Sequence, residues 1–230
     1  MKVIGLLGGM SWESSVEYER LINQAVRSEL GGTNSADLII RSFNFADIEA
    51  LQAADKWDDA ASLLARAAQN LEKSGAQAIV ICTNTMHVLA DRIEAAVSIP
   101  LLHIADATGQ AIINERVSNV LLLGTRYTME KDFYRARLVE KFGLQVSVPD
   151  SEQRHEIHRI IYEELVRGTI KSSSREFVLG VIEESTAAGI NGVIAGCTEI
   201  ELLVKPEDVD VAYFPTTRLH SAAVARFALT

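Results

Sequence analysis

One short pattern occurs twice in this chain, and the repeat constrains the fold more than any other feature. In each half a helical stretch ends at a glycine, an apolar run follows, and a polar turn closes the run. The two copies occupy residues 75–85 and 189–199, which places Thr83 and Cys197 at equivalent positions 114 residues apart. Each half also begins with an apolar run that enters a glycine turn. Such a repeat predicts two similar units.

Short apolar runs alternate with longer amphipathic stretches along the chain. The runs are continuously apolar and rich in β-branched residues, which is typical of parallel strands that are buried on both faces. They predict strands at 2–7, 37–42, 78–82, 101–103, 119–123, 145–148 and 192–195. The stretches between them predict helices that end close to a glycine. These predicted helices are 14–30, 57–74, 129–142, 153–166 and 173–188.

The alternation of strands and helices predicts the fold class. We expect an α/β fold of two pseudo-symmetric domains, each with a mainly parallel sheet flanked by helices. Ligands of open α/β sheets bind just beyond the carboxyl ends of the strands, where both repeated turns lie. Two halves that face each other would place Thr83 and Cys197 on opposite walls. The sequence therefore predicts an active-site cleft between the two domains.

Charge and composition exclude several classes of partner. The net charge is −9 and the pI is about 5.1, so the surface repels nucleic acid and anionic lipid. The sequence contains neither a membrane-spanning stretch nor a signal peptide, and we expect a cytoplasmic protein. The two cysteines, Cys82 and Cys197, lack the spacing of metal ligands. We expect free thiols and no metal.

Four segments that extend over essentially the whole chain resemble the aspartate/glutamate racemase family. They are GLLGGMS at 5–11, CTNTMH at 82–87, GCTE at 196–199 and TTRLH at 216–220. The resemblance implies an amino-acid racemase that uses no pyridoxal phosphate and is often dimeric, so we expect no cofactor and a homodimer. In the family the last segment completes the first domain. This implies a first domain of 1–98 plus 210–230 and a second of 99–209.

The resemblance also implies which residues are catalytic. In the family, cysteines from the two turns act as base and acid on opposite faces of the substrate α-carbon. The usual first motif reads Cys-Asn-Thr, so the catalytic position in this chain is Thr83, with Cys82 one residue early. A second departure is Pro215, which stands where the family usually has Asp. The first departure argues against fast, symmetric racemisation.

The chemistry of these residues predicts an asymmetric catalytic pair. Inversion needs one group that removes the α-proton and another that returns a proton to the opposite face. A helix that follows each turn would lower the pKa of Cys197, which would act as a thiolate. Thr83 would supply a proton, directly or through water. Because successive strand side chains point in opposite directions, Cys82 should face away and be inert. Cys82 lies at the strand end, where this alternation can fail, and it is the competing candidate to Thr83.

The substrate requires hydrogen-bond donors, and the turns supply them. Backbone N–H groups at helix starts bind anions, and neighbouring side chains add donors. The resemblance implies a basic residue for the distal carboxylate, and Arg167 matches it loosely by position; the alternative is a solvated arginine at a helix end. The family commonly has a basic residue in the region of Gln52, and the change to Gln would loosen the preference for a second carboxylate. The predicted substrate-binding residues are Met10, Gln52, Asn84, Thr85, Met86, Thr125, Arg167, Thr198 and Glu199. The predicted substrate is a small, acidic amino acid, and a broader range of amino acids remains open.

The sequence is compatible with two other classes of function. The first is a decarboxylase or another isomerase of the same superfamily. Its single-cysteine relatives include decarboxylases of malonate-type acids, and activity on an arylmalonate would support a decarboxylase. A protein that kept the cleft without the chemistry would bind aspartate or glutamate tightly and exchange no α-proton. The glycine turn at 5–9 does not fit the G-x-G-x-x-G fingerprint, which argues against a nicotinamide enzyme.

Overall fold

Eight parallel strands form two sheets with one shared strand order. The computed structural model describes residues 1–230, and the chain divides into two units. The first unit comprises Met1–His103 with His220–Thr230, and the second comprises Ile104–Leu219. Each unit contains one four-stranded sheet.

The first unit alternates strands with helices. Its elements are β1 (Ile4–Gly8), α1 (Trp12–Leu30), β2 (Leu38–Ser42), α2 (Phe45–Ala53), α3 (Trp57–Lys73), β3 (Ala78–Ile81), a 3₁₀ helix (Thr85–Leu89), α4 (Ala90–Glu94) and β4 (Leu101–Leu102). The sheet has the order β2-β1-β3-β4, and every pair of neighbours is parallel.

The second unit repeats this plan. Its elements are α5 (Ile104–Asn114), β5 (Asn119–Gly124), α6 (Arg126–Glu130), α7 (Asp132–Phe142), β6 (Gln145–Ser147), α8 (Ser151–Arg159), a π-helical turn (Ile160–Glu164), a 3₁₀ turn (Leu165–Arg167), α9 (Ser172–Ala187), β7 (Gly192–Gly196), α10 (Ile200–Leu203), a 3₁₀ turn (Pro206–Asp208) and β8 (Ala212–Pro215). The last helix, α11 (Thr216–Leu229), begins here and continues in the first unit.

The second sheet has the order β6-β5-β7-β8, so each strand occupies the place of its counterpart four numbers earlier. All three of its pairs are parallel. The predicted α/β fold with two similar parallel sheets is therefore confirmed. All seven predicted strands are present, with ends that shift by no more than two residues.

The structure adds elements that the sequence patterns did not predict. They are β8 and the helices α2, α4, α5, α6, α10 and α11. The helix predicted at 153–166 is also more complex than expected, because α8 ends at Arg159 and passes into the π-helical turn. A π-helical turn is rare and often lies near a functional site.

Strand pairing explains why the units differ from the predicted domains. The boundaries predicted at 98/99 and 209/210 fall earlier than those of the two units. Residues Leu101–Leu102 pair with β3, which places them in the first sheet. Residues Ala212–Pro215 pair with β7, which places them in the second. The last segment joins the first unit only from His220 onward.

Each sheet is covered on both faces by apolar clusters, and two helices are exchanged between the units. Helix α5 follows β4 of the first sheet, yet Ile104 and Ile112 pack in a core of the second unit with Leu122. Helix α11 follows β8 of the second sheet, yet Val224 packs with Tyr18 in a core of the first. None of the helices combines the length and apolar character that a membrane crossing requires.

Candidate active site

In the second unit the strand register brings two polar turns to the same sheet edge. Gly124 at the end of β5 pairs with Gly196 at the end of β7, so Thr125 and Cys197 follow neighbouring strand ends. A side chain at Gly196 would meet the carbonyl oxygen of Leu123 at 2.6 Å. The glycine therefore permits the close approach of the two strands.

The thiol of Cys197 is hydrogen-bonded to a carboxylate in its own turn. Cys197 Sγ donates a hydrogen bond to Glu199 Oε2 at 2.8 Å, and both residues are buried. Burial raises the pKa of the Cys197 thiol well above its usual value, and the Glu199 charge raises it further. The backbone N–H groups of Glu199 and Ile200 act in the opposite direction.

These observations correct the expected ionisation of Cys197. We expected a helix dipole to favour a thiolate, but the helix after this turn, α10, has only four residues. A short helix aligns few peptide dipoles, so its effect is weaker than the burial and the carboxylate. The structure therefore holds Cys197 as a thiol with an adjacent proton acceptor.

The start of α11 supports the Cys197 turn. Thr216 Oγ1 donates to the carbonyl oxygen of Ala195 at 2.8 Å, and Thr217 Oγ1 contacts Thr198 Oγ1 at 3.4 Å. The backbone N–H of Thr217 donates to Glu201 at 3.0 Å. The threonine pair was part of the family motif, whereas no sequence pattern pointed to Glu201. These contacts fix the position of the turn that carries Cys197 and Glu199.

In the first unit the equivalent turn follows β3. The N–H of Cys82 donates to the carbonyl oxygen of Leu7, which brings Thr83 to the same edge as the glycine turn after β1. Thr83 is half-buried. The ring Nδ1–H of buried His87 donates to the Thr83 carbonyl oxygen at 2.8 Å. His87 thus holds the backbone of the turn that carries the Thr83 hydroxyl.

Cys82 lies on the other side of its strand. Its side chain is fully buried in the core formed with Tyr18, Ile22 and Val224. Burial raises the pKa of the Cys82 thiol far above its usual value. A neutral thiol in an apolar core is inert, which is the position that strand alternation predicts for it.

The glycine turn after β1 is held by serines at the start of α1. The N–H of Gly9 donates to Ser15 Oγ at 2.6 Å, and Ser15 Oγ donates to the Ser11 carbonyl oxygen at 3.1 Å. Gly9 has φ +78°, and a side chain there would overlap the backbone of Phe43. Only glycine accommodates this turn, in which the predicted wall residue Met10 is buried.

No group of three or more histidine, cysteine, aspartate or glutamate side chains converges to hold a metal ion. The histidines of the first unit are instead used in packing and hydrogen bonding. His220 Nε2 donates to the Leu102 carbonyl oxygen at 2.7 Å, and the Tyr18 hydroxyl bonds to His220 Nδ1 at 2.8 Å. The ring of His87 lies between those of His103 and His220, with centroids 4.6 and 5.7 Å away.

The family model for Asp/Glu/hydantoin racemases matches residues 7–224. The chain belongs to this family. A candidate Asp/Glu racemase from Yersinia pestis has a crystal structure that is 52% identical, with 100% of both chains covered and a TM-score of 0.94. An aspartate racemase homologue from Pyrococcus horikoshii is 37% identical, again over 100% of both chains, with a TM-score of 0.86.

More distant relatives of this racemase-family chain extend the comparison. The broad specificity amino-acid racemase RacX from Bacillus subtilis is 28% identical over 158 residues, which is 66% of this chain and 66% of RacX. A glutamate racemase from Francisella tularensis, whose structure contains D-glutamate, is 17% identical with a TM-score of 0.69. The match covers 99% of this chain and 81% of the Francisella chain, and at this identity it supports the fold alone.

The remaining predicted binding residues of this racemase-family chain fall into two groups, one in each unit. In the first unit Asn84, Thr85 and Met86 are buried in or beside the turn after Thr83. Gln52 on α2 is buried too, and its Nε2 donates to Met86 Sδ at 3.0 Å. Met86 is fully buried in the core, so it packs behind the turn.

In the second unit Thr125 caps α6, where its Oγ1 accepts from the N–H of Thr128 at 3.3 Å. Arg167 is exposed in the 3₁₀ turn that packs against α10, directly after the Cys197 turn. Sequence reasoning missed Arg126, the exposed first residue of α6 beside Thr125. Its position after a strand end was the available signal. The binding roles of all these residues stay predictions.

Proposed function

We propose that this chain is an amino-acid racemase that works without pyridoxal phosphate on small amino acids of the aspartate and glutamate type, with a broad range. Membership of the racemase family supports the reaction class. The observation that carries the mechanism is the hydrogen bond of 2.8 Å from Cys197 Sγ to Glu199 Oε2. A thiol with a carboxylate as proton acceptor is a group that can exchange a proton with a substrate carbon.

In the proposed mechanism Cys197 and Glu199 act as one proton-transfer unit. Glu199 accepts the thiol proton, and the resulting thiolate faces the backbone N–H groups of Glu199 and Ile200. The thiolate then removes the α-proton of the substrate, so that the C–H bond breaks and an S–H bond forms. The electron pair moves into the substrate carboxylate, which becomes an enediolate.

Thr83 is the proposed acid for the opposite face. Its hydroxyl gives a proton to the α-carbon, which forms the new C–H bond, and water returns a proton to the Thr83 oxygen. A threonine hydroxyl is a much weaker acid than a thiol, so this half of the reaction is the slower one. The enantiomer whose α-proton faces Cys197 should therefore exchange that proton with solvent faster than it inverts.

The proposed binding groups are hydrogen-bond donors at the two sheet edges. Asn84 and Thr85 in the first unit, and Thr125 and Thr198 in the second, supply polar side chains for the amino and carboxyl groups. Arg167, which is exposed, is the proposed group for a second carboxylate. Gln52 is neutral, and its side chain is hydrogen-bonded to Met86. A neutral residue at this position is compatible with substrates that lack a second carboxylate.

The test is an exchange experiment in D₂O. The purified protein is incubated with each enantiomer of aspartate, glutamate, alanine and serine without pyridoxal phosphate, and the α-proton signal and chirality are followed. Exchange with inversion supports the racemase. Exchange of one enantiomer without inversion shows that Cys197 works and that Thr83 does not complete the transfer. No exchange with any amino acid contradicts the proposal, and decarboxylation of an arylmalonate then identifies the single-cysteine alternative.

A homodimer is the proposed assembly. The first unit exposes Trp12 and Val16 one turn apart on α1, with 63% and 53% of their surfaces accessible. Large apolar side chains on one helix face are a typical interface feature. Light scattering coupled to size-exclusion chromatography distinguishes a dimer from a monomer. A Trp12→Glu variant that remains dimeric would exclude this face from the interface.

A further inference from the structure

Glu164 is a buried carboxylate that lies outside the residues proposed to touch the substrate. It is the last residue of the π-helical turn, and only 2% of its surface is accessible. Ser174 Oγ donates to it at 2.6 Å, Arg159 at 2.9 Å and Lys171 at 3.1 Å. A buried charge is costly unless it is paired, so three donors on one carboxylate make a strong local constraint.

The three donors come from both sides of one loop. Arg159 ends α8, whereas Lys171 caps α9 and Ser174 lies in its first turn. The Glu164 carbonyl oxygen also accepts from the N–H of Thr169 at 2.9 Å. Glu164 therefore closes the loop of residues 165–171 through its side chain and its backbone. Closing a loop in this way removes much of its conformational freedom.

The closed loop carries Arg167 beside the catalytic turn. Leu165, two residues before Arg167, is buried in the same apolar cluster as Cys197 and Ile200. The 3₁₀ turn Leu165–Arg167 packs against α10, which begins three residues after Cys197. Arg167 itself is exposed and makes no ion pair within the chain. Its position is thus fixed by its backbone, and its guanidinium remains available for a ligand.

We propose that Glu164 is a positioning residue that holds Arg167 ready for the second carboxylate of a dicarboxylic amino acid. The proposal rests on the proposed function only in assigning Arg167 to that carboxylate. Glu164 touches no substrate. It acts by fixing the loop, so its removal weakens the binding of dicarboxylic substrates and spares those that have no second carboxylate.

The experiment measures binding of aspartate and of alanine by calorimetry, with racemisation rates recorded separately. Glu164→Gln keeps the size of the side chain and removes its charge. We expect the Kd for aspartate to rise about tenfold, as for the loss of one charge-assisted hydrogen bond. The Kd for alanine and the kcat for alanine should change by less than about twofold. Glu163→Gln is the matched control, because this neighbour is exposed and lies 3.5 Å from Arg159.

A double-mutant cycle with Arg167→Gln separates positioning from general stability. If Glu164 acts through Arg167, Glu164→Gln causes no further loss of aspartate affinity once Arg167 is gone. Should Glu164→Gln fold poorly, Ser174→Ala removes a single donor and should weaken aspartate binding in the same direction to a smaller extent.

Three results would overturn the proposal. They are equal weakening of aspartate and alanine, full additivity with Arg167→Gln, and a wild-type protein that binds alanine but not aspartate. Failure of the proposed function looks different. A protein that binds aspartate without racemising it would contradict the racemase, while the effect of Glu164→Gln on aspartate affinity would still be measured.

Discussion

Cys197 Sγ donates a hydrogen bond of 2.8 Å to Glu199 Oε2 inside a single buried turn, where burial and the Glu199 charge raise the pKa of the thiol. The two side chains are only two residues apart in the sequence, and both are more than nine-tenths buried. The hydrogen bond makes the carboxylate as important as the thiol for the proposed reaction, and it leads to the first prediction.

Glu199→Gln should make the Cys197 thiol more reactive towards alkylation and should lower the rate of racemisation. The Glu199 charge raises the pKa of Cys197, so its removal makes a thiolate accessible at lower pH and speeds alkylation of Cys197 by iodoacetamide at pH 8. Racemisation should fall about 10²- to 10³-fold, because the proton acceptor is lost. Glu207→Gln, at an exposed site, is the control. Slower alkylation together with unchanged racemisation would show that Glu199 is only a structural partner.

Cys197→Ala and Cys82→Ala should separate the two thiols. Cys197→Ala removes the proposed base, and we expect racemisation to fall by at least about 10³-fold. Cys82→Ala removes a sulfur from the core and should cost about 1–2 kcal/mol of stability while activity stays within about twofold. Rates and urea unfolding curves of both variants provide the check. A severe loss of activity in a folded Cys82→Ala variant would reverse the assignment.

Thr83→Cys should raise the rate of inversion by about tenfold, because a thiol is a far stronger acid than a threonine hydroxyl. Thr83→Ser keeps a hydroxyl and should stay near the wild-type rate, whereas Thr83→Ala should exchange one enantiomer without inverting it. The rates are measured by the change of chirality in D₂O. If Thr83→Cys is no faster than wild type, the threonine has a role of its own that a thiol does not replace.

Glu164 should make stability depend on acid pH. Its hydrogen bond from Ser174 and the nearby Arg159 and Lys171 lower its pKa from 4.5 to about 2. A carboxylate with a lowered pKa contributes stability that is complete above about pH 4.5 and is lost as the pH falls through 2. Glu164→Gln should therefore be less stable than wild type at pH 7, and the difference should shrink at pH 3.

Urea unfolding at pH 7, 4 and 3 tests this dependence, with Glu163→Gln as the control. A difference between wild type and Glu164→Gln that stays constant over this range would show that the charge of Glu164 contributes nothing to stability.

The sequence predicts the two sheets well because their strands are short, continuously apolar runs. The strand Ala212–Pro215 was missed because it is brief and ends in proline. Helix α5 was missed because it is apolar on most sides, so it lacks the polar face that marks a surface helix. Helix α2 was missed as well, because its apolar residues do not lie on one face and it shows no clear amphipathic period.

The repeated turns were enough to predict where much of the candidate site lies. They did not predict the ionisation of its residues. The repeat puts Thr83 and Cys197 at equivalent strand ends. The raised pKa of Cys197 depends on burial and on the rotamer of Glu199, neither of which a sequence pattern reports. Glu164 was not recognised because its three donors are separated from it by five to ten residues and meet only through the π-helical turn.

The exchange of α5 and α11 has a consequence for synthesis on the ribosome. Translation delivers all strands of the first sheet early, but the helix that supplies Val224 and Ala225 to its core emerges only after every residue of the second unit. The second unit receives its exchanged helix before its own strands are made. The half of the protein that is synthesised later is therefore the first to possess all of its core, whereas the nascent first sheet has only α1 on the face that α11 later helps to cover.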